Sequence, residues 1–253
     1  MIFDTHSHLF EEEFDIDRDD CFKRLKEING KAMIVGFNID NNIKAYELAK
    51  QYNMYSSCGL HPDTADEDIE TNLILLEAFI KSHKVYAIGE CGLDYHWTQD
   101  NIERQKKLFE AQIQLAIKYD LPIIVHSRDA SKDTFDMIYK YKGKLKGIMH
   151  CYSGSYEMAL EYIKIGFYIS LGGPVTFKNA KEPKKIAQNI DLNYLLIETD
   201  CPFLAPEPFR GKRNESVYVK YTAECIANLR NISYDELINI TSKNAFKVFN
   251  IKE

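Results

Sequence analysis

Two histidines lie two residues apart directly after the apolar start of the chain, which begins MIFDTHSHLF. In a β-strand, residues i and i+2 point to the same face. A strand that begins at Ile2 would therefore present His6 and His8 side by side at its end, with Asp4 before them on that face. Paired imidazoles suit a divalent metal ion. The pair alone does not separate a metal site from two surface histidines, because so short a motif often occurs without a function.

Composition and charge exclude several classes of protein. The six cysteines form no CxxC pair, which argues against a disulfide framework and a thiolate zinc site and favours reduced thiols in the cytoplasm. No apolar run reaches the roughly 20 residues of a membrane span, and we expect no secretory leader. The net charge of −6 predicts no broad basic surface for duplex nucleic acid, so a polyanionic substrate would be held locally.

Short apolar stretches alternate with amphipathic helical patterns along the chain. Eight stretches are predicted strands: IFDTH (2–6), AMIVGF (32–37), MYSSCGL (54–60), VYAIGE (85–90), PIIVHS (122–127), GIMHCY (147–152), FYISLG (167–172) and YLLIETD (194–200). Helices are predicted at roughly 17–28, 41–52, 67–82, 101–119, 131–141, 155–165, 180–189 and 216–230, with two more short helices within 234–249. Apolar strands that alternate with helices form a parallel sheet covered on its outer side. We predict a single α/β domain over residues 1–253, a (β/α)8 TIM-like barrel; an open doubly wound sheet is the alternative, but no GxGxxG loop follows a strand.

Polar residues with chemical potential concentrate at the carboxyl ends of the predicted strands. They are His6 and His8 on the first strand, His61 after the third, Glu90 at the end of the fourth, His126 on the fifth, His150 on the sixth and Asp200 on the eighth. In a barrel all these ends meet at one face, where active sites are built. The pattern therefore predicts a metal centre at that face.

Two divalent ions would divide these residues between them, the first binding His6, His8 and Asp200 and the second His126 and His150. Glu90 has two carboxylate oxygens and is placed to bridge the ions. Paired ions polarise a scissile P–O or C–O bond and activate a bound water. Asp200 is the candidate acceptor for the proton of that water. His61 would orient the substrate or leaving group; the alternative is a histidine held by loop hydrogen bonds.

Longer motifs resemble the TatD family of metal-dependent deoxyribonucleases, within the amidohydrolase-like metal hydrolases. The matching stretches run through the whole chain: FDTHSHL, GLHPD, AIGECGLDY, PIIVHSRDA, GIMHCYSGS, YISLGGPVTFKNAK, LLIETDCPFLAP and FRGKRNE. The resemblance implies a TIM-like barrel, a dinuclear divalent metal site and release of nucleotides from DNA ends. By position it implies the ligands His6, His8, Glu90, His126, His150 and Asp200. In one departure, Ser216 follows Asn214-Glu215 where the family usually has proline, which puts the local loop shape and the role of Asn214 in doubt.

Candidate substrate contacts come from basic residues near the same face. Arg128 lies two residues beyond His126, and FRGKRN (209–214) places further cations in the connection after the last strand. Loops at this end of barrels often bind phosphate, and a guanidinium group matches two phosphate oxygens. The predicted contacts are Arg128, Arg210, Lys212 and Asn214; a solvated basic loop is the alternative.

Other residues near the strand ends have less defined roles. Aromatic side chains that are candidates for base stacking, with loop packing as the alternative, are Tyr95, Trp97, Phe177 and Phe203. Cys91 and Cys151 adjoin predicted ligands, and strand alternation predicts that they are buried under the helices. The role of Cys201 is left open, and Glu198 is either a partner of a metal-bound histidine or a buried carboxylate paired with a core cation.

The favoured function is hydrolysis of phosphodiester bonds in DNA, from the 3′ end or at frayed single strands, with a metal-activated water. The alternative is a hydrolase of the same architecture for a small amide, lactone or phosphotriester. Many such barrels bridge their ions with a carboxylated lysine at the fourth strand, where this chain has Glu90. A non-catalytic binding barrel ranks last, since the ligand set is complete. The donor set does not separate magnesium, manganese and zinc, and we expect a cytoplasmic monomer without a protein partner.

Overall fold

The computed structural model describes residues 1–97 and 99–252. Eight strands, all paired in parallel, lie within this part of the chain. They are β1 (Ile2–Ser7), β2 (Gly30–Val35), β3 (Tyr55–Ser57), β4 (Ile88–Asp94), β5 (Ile123–Arg128), β6 (Gly147–Met149), β7 (Tyr168–Leu171) and β8 (Leu195–Ile197). Each corresponds to one of the predicted apolar stretches.

The strands follow one another in chain order and close into a ring. Hydrogen bonding gives a three-stranded run from β1 to β3 and a five-stranded run from β4 to β8. Single parallel bridges join the two runs, between Cys58 and Ile88 at one junction and between Ser7 and Cys201 at the other. The fold is therefore the predicted (β/α)8 barrel.

Helices lie between successive strands. The described residues contain α1 (Arg18–Glu27), α2 (Ile39–Tyr52), α3 (Ile69–Ser82), α4 (Ile102–Lys118), α5 (Ser131–Tyr139), α6 (Tyr156–Lys164), α7 (Lys181–Asn189), α8 (Val219–Arg230) and α9 (Tyr234–Val248). The first eight match the predicted helices. Within residues 1–97 and 99–252, no helix combines the length and the apolar character that a membrane crossing requires.

The prediction of two short helices within 234–249 is wrong, because α9 is continuous. Ser233 caps its start, where the side chain accepts a hydrogen bond from the Glu236 backbone N–H at 3.1 Å. A serine followed three residues later by glutamate is a typical start signal of a helix. No glycine or proline follows within α9, so nothing in its sequence breaks the helix.

Aromatic side chains close the barrel near the start of β1. Phe3 stacks on Tyr55 with ring centroids 5.4 Å apart and on Phe249 at 6.0 Å, and Phe246 meets its edge at 5.6 Å. Other strands add buried apolar side chains to this cluster: Met33, Val35, Ile124, Ile148, Tyr168 and Leu196. The cluster fills the interior where the strands begin, which leaves the other end of the barrel for polar side chains.

Candidate metal centre

A cavity of about 730 Å³ opens at the carboxyl ends of the strands. Its walls include six of the seven residues that were predicted at the carboxyl ends of the strands: His8, His61, Glu90, His126, His150 and Asp200. His6, the seventh, is fully buried beside them. The barrel thus brings together residues that lie up to 194 positions apart in the sequence.

One group of donor atoms forms around the end of β1. The Nε2 atoms of His6 and His8 lie 3.1 Å apart. Glu90 Oε2 is 3.3 Å from His6 Nε2 and 3.6 Å from His8 Nε2. Asp200 Oδ1 is 3.8 Å and 3.5 Å from the same two nitrogens. Two imidazoles and two carboxylates therefore converge at one point.

A second group forms around the other oxygen of Glu90. Its Oε1 lies 3.1 Å from His126 Nδ1 and 3.0 Å from His150 Nε2, and these nitrogens are 3.5 Å apart. His61 Nε2 is 3.8 Å from the same oxygen. The two oxygens of Glu90 thus face different pairs of imidazole nitrogens, and the stacked rings of His6 and His150 lie where the two groups meet.

The spacing of these atoms fits divalent ions. Ligand atoms at about 2.0–2.2 Å from a tetrahedral ion lie about 3.3–3.6 Å from one another. The distances around each oxygen of Glu90 cover a similar range, from 3.0 to 3.8 Å. His8 Nδ1 is 2.8 Å from the Val35 carbonyl oxygen, a geometry that places the ring proton on Nδ1 and leaves a lone pair on Nε2. A cation between the crowded nitrogens would offset their mutual repulsion.

Carboxylates hold the outward nitrogens of the second group. His126 Nε2 lies 2.9 Å from Asp94 Oδ2, and His150 Nδ1 lies 3.2 Å from Glu198 Oε1. Burial lowers the pKa of His126, but the carboxylates of Asp94 and Glu90 outweigh burial and raise it. Burial raises the pKa of Glu90, but the surrounding imidazoles outweigh burial and hold this pKa well below its usual value. Glu90 is therefore an anion within a cluster of imidazoles.

The prediction that the fourth strand spans 85–90 and ends at Glu90 is wrong. β4 continues to Asp94 and pairs with β5 as far as Arg128. Gly92 has a φ of +143°, and a Cβ there would lie 2.0 Å from the His126 carbonyl oxygen, so glycine allows the pairing to continue. Asp94 was missed as a site residue for this reason. It lies at position i+4 from Glu90, so alternation along a longer strand places both on one face.

His61 lies in the GLHPD loop and faces both the site and its own loop. Its ring centroid is 4.7 Å from that of His126, and its Nδ1 is 3.3 Å from the Asp63 backbone nitrogen. Gln112 of α4 bonds both the N–H and the carbonyl of Leu60 at 2.8 Å. Both alternatives for His61 thus have a contact that supports them.

The predicted substrate contacts separate into two sets. Arg128 lines the cavity, with its guanidinium carbon 5.3 Å from the centroid of Trp97. Arg210 and Lys212 are exposed and are not among the lining residues; Arg210 instead covers the ring of Phe177 at 4.3 Å. Of the predicted contacts, Arg128 therefore has the position that substrate binding requires.

Asn214 does not reach the cavity, which corrects the expectation that it binds substrate. It is fully buried, and its side-chain nitrogen donates to the carbonyl oxygens of Thr199 at 2.8 Å and Phe203 at 2.7 Å. Ser216 also has a defined partner, since its hydroxyl donates to Asp4 Oδ2 at 2.5 Å. Both residues fasten the connection after β8, and Ser216 supplies a hydrogen bond that proline cannot.

Two of the four candidate stacking aromatics line the cavity. They are Trp97 and Phe203, which are 78% and 54% exposed. Tyr95 instead donates its hydroxyl to Asp133 at 2.9 Å, and Phe177 lies under Arg210. An exposed aromatic ring at a cavity mouth is a suitable surface for a nucleobase.

The cysteines differ from one another. Cys91 is buried in the core, as predicted, and Cys201 is buried in a smaller cluster near β1. The same prediction is wrong for Cys151, which is part of the cavity wall. β6 ends at Met149 and Cys151 has a φ of +40°, so strand alternation no longer sets its direction.

Known proteins that resemble this chain include metal-dependent hydrolases and a structure with the same fold. A family model described as TatD related DNase matches residues 3–250. The chain belongs to the TatD family. An uncharacterized metal-dependent hydrolase of Bacillus subtilis, YabD, is 46% identical over 99% of this chain and 100% of its own length. One of Buchnera aphidicola is 37% identical over 99% and 100%. The crystal structure of YJJV, a TatD homolog of Escherichia coli K12, superposes with a TM-score of 0.93 at 28% identity and covers 99% and 98% of the two chains.

Proposed function

We propose that this TatD-family protein is a metal-dependent hydrolase that cleaves phosphodiester bonds of DNA, from the 3′ end of single or frayed strands. The observation that carries the proposal is the position of Glu90. Its Oε2 lies within 3.6 Å of His6 and His8, and its Oε1 lies within 3.1 Å of His126 and His150. A carboxylate shared in this way is suited to hold two divalent ions side by side.

The candidate ligands supply the chemistry of a two-ion hydrolase. They are His6, His8 and Asp200 for one ion, His126 and His150 for the other, and Glu90 for both. When bound, the ions would act as Lewis acids and lower the pKa of a coordinated water. Magnesium, manganese and zinc all remain candidates.

Asp200 is the proposed proton acceptor. Its Oδ1 faces His6 and His8, so the second oxygen is available to take a proton from the attacking water. Burial raises the pKa of Asp200, but the nearby imidazoles of His8, His150 and His6 lower it below its usual value. The carboxylate is therefore ionised at neutral pH and ready to accept a proton. His61, on the opposite side of Glu90, would orient the substrate or leaving group.

Substrate binding would depend on charge near the mouth of the cavity. Among the described lining residues, Arg128 is the one lysine or arginine, so it is the candidate partner of a phosphate. Trp97 and Phe203 would stack on bases next to the scissile bond. A concave site of about 730 Å³ has the size of a small-ligand pocket and suits an unpaired terminus better than a duplex.

The decisive experiment uses purified protein stripped of metal with a chelator. Single-stranded DNA labelled at the 5′ or the 3′ end, duplex DNA and RNA are each offered with Mg²⁺, Mn²⁺ or Zn²⁺. We expect ion-dependent shortening of single-stranded DNA from its 3′ end. No cleavage of any nucleic acid with any ion would contradict the proposal.

All six cysteines are free, which supports action in the reducing cytoplasm.

A second candidate is hydrolysis of a small amide, lactone or phosphotriester. The observation in its favour is the apolar part of the cavity wall, formed by Phe37, Leu171, Pro174, Val175 and Leu204. A substrate without a phosphate anion would need no arginine. A parallel screen of such compounds separates the candidates, since Arg128→Ala should spare neutral substrates and impair nucleic acids.

A further inference from the structure

We propose that Glu198 is a positioning residue shared by both ion positions, so that one buried carboxylate orients a histidine of each group. The inference rests on the proposed metal centre and adds a residue outside the six candidate ligands. Glu198 is fully buried and lies just beyond β8, in the sequence IETD.

The link from Glu198 to the second group is direct. Glu198 Oε1 lies 3.2 Å from His150 Nδ1 and accepts the Cys151 backbone N–H at 2.6 Å. Because His150 Nδ1 donates to Glu198, the lone pair of the ring is on Nε2, which faces Glu90. The Cys151 bond fixes the carboxylate, because Cys151 follows His150 in the turn after β6. Glu198 therefore sets both the tautomer and the direction of the His150 ring.

The link to the first group is indicated by two buried atoms without partners. Among the described residues, neither Glu198 Oε2 nor His6 Nδ1 has a hydrogen-bond partner. Glu198 Oε2 is an acceptor. His6 Nδ1 becomes a donor when His6 Nε2 gives its lone pair to an ion, because the ring proton is then on Nδ1. Leaving both unpaired would be unfavourable, because each buried atom has lost its hydration without gaining a hydrogen bond.

The stacking of the two rings places these atoms on the same side. The centroids of His6 and His150 are 3.9 Å apart and their planes differ by 18°. Both rings direct Nε2 to Glu90, at 3.3 Å and 3.0 Å. Their Nδ1 atoms therefore face away from the ions, and His150 Nδ1 already meets Glu198. A rotation of the carboxylate, or one bridging water, would pair Glu198 Oε2 with His6 Nδ1.

Asp94 offers an internal comparison. It contacts His126 Nε2 at 2.9 Å and the His96 backbone N–H at 2.9 Å, with no contact to His6 or His8. Asp94 should therefore serve one ion position, whereas Glu198 should serve two. Loss of a carboxylate that orients a ligand typically weakens metal binding about 10–100-fold.

The test measures stepwise Zn²⁺ and Mn²⁺ dissociation constants of the metal-free full chain by competition with a chromophoric chelator. We expect Glu198→Gln to weaken both constants about 10–100-fold and Asp94→Asn to weaken one. Glu198→Asp keeps the charge but withdraws the oxygens, and should also weaken both. Glu215→Gln is the control, because Glu215 is a buried carboxylate bonded to Arg24 at 2.6 Å, and should change neither constant.

The outcomes distinguish the inference from the proposed function. If the unmodified chain binds two ions and Glu198→Gln weakens one constant or none, the shared role is wrong and the metal centre stands. If the unmodified chain binds fewer than two ions, the proposed two-ion function is wrong, and the shared role is overturned with it. Weakening of both constants in each Glu198 variant, with an unchanged urea midpoint of the metal-free chain, supports the inference.

Discussion

At the scale of single residues, the proposed mechanism requires the Asp200 carboxylate both to bind an ion and to accept a proton. Asparagine keeps an oxygen for the ion but cannot take the proton. We predict that Asp200→Asn lowers kcat on single-stranded DNA by about 10²–10⁴-fold, the usual range for loss of a general base. DNA affinity, measured by fluorescence anisotropy at equal metal content, should change much less. A loss of affinity as large as the loss of kcat would show that Asp200 does not act as the base.

Arg128 and Arg210 provide a matched pair for phosphate binding. Arg128 lines the cavity, whereas Arg210 covers Phe177 outside it. A charge-assisted hydrogen bond contributes about 1.5–3 kcal/mol, so Arg128→Ala should reduce kcat/KM on single-stranded DNA about 10–150-fold. Arg210→Ala should change it by less than about 2-fold. Equal effects in steady-state assays would place phosphate binding on the loop after β8 instead.

The sequence predicts these residues to different degrees. The histidines were found because strand alternation and barrel convergence require only the positions of strand ends. Asp94 was missed because a glycine-rich stretch gave a strand end at Glu90. The burial of Asn214 depends on the carbonyl groups of Thr199 and Phe203, which lie 15 and 11 positions away in a loop without periodicity. Long-range packing of loops leaves no local signal.

At the scale of elements, ion pairs fasten the loop after β8 to the start of α1. Arg213 holds both oxygens of Asp17, at 2.6 Å and 2.7 Å, and Arg24 binds Asp17 and Glu215. The hydrogen bonds from Arg213 lower the pKa of Asp17 to about 2, against the partial burial that would raise it. The basic loop in which the sequence predicts phosphate contacts is thus held in part by the ion pair between Arg213 and Asp17.

This network predicts a pH-dependent effect of Asp17→Asn. Because the folded-state pKa lies below the unfolded value near 3.8, the stabilisation is complete above the unfolded pKa and is lost as pH falls towards 2. We expect the variant to have a lower urea midpoint of unfolding than the natural chain at pH 7. The difference between the two midpoints should be smaller at pH 3. Asp120→Asn, at an exposed pair with Lys146, is the control and should have little effect at pH 7. A difference that is the same at both pH values would contradict the assignment.

Helices were easier to predict than strand ends. Apolar periodicity located α1 to α8 within a few residues, because the buried face of each helix repeats along its length. Strand pairing has no comparable signal. β4 extends to Asp94 only because Gly92 lets its backbone approach β5. α9 is continuous where the sequence suggested a break, since its packing against the end of the barrel stabilises the whole helix.

At the scale of the whole molecule, the barrel separates stability from chemistry. Its order follows from alternating strands and helices, so the fold was predictable. The residues that pair at the two closing junctions were not predictable, because each junction is a single bridge, Cys58–Ile88 or Ser7–Cys201, outside any repeated register. Apolar rings fill the end where β1 begins, and imidazoles and carboxylates occupy the other. The two ends should therefore respond to substitution independently.

Phe249→Ala tests this separation. Phe249 is 2% exposed and stacks on Phe3 far from the histidines. Removing a buried phenylalanine ring costs about 3–5 kcal/mol, so the free energy of unfolding in urea should fall by that amount. The folded variant should bind as many Zn²⁺ ions as the natural chain. Ile74→Ala, at a residue that is 70% exposed, should leave both quantities unchanged. Loss of an ion position in folded Phe249→Ala would mean that the aromatic end shapes the metal centre after all.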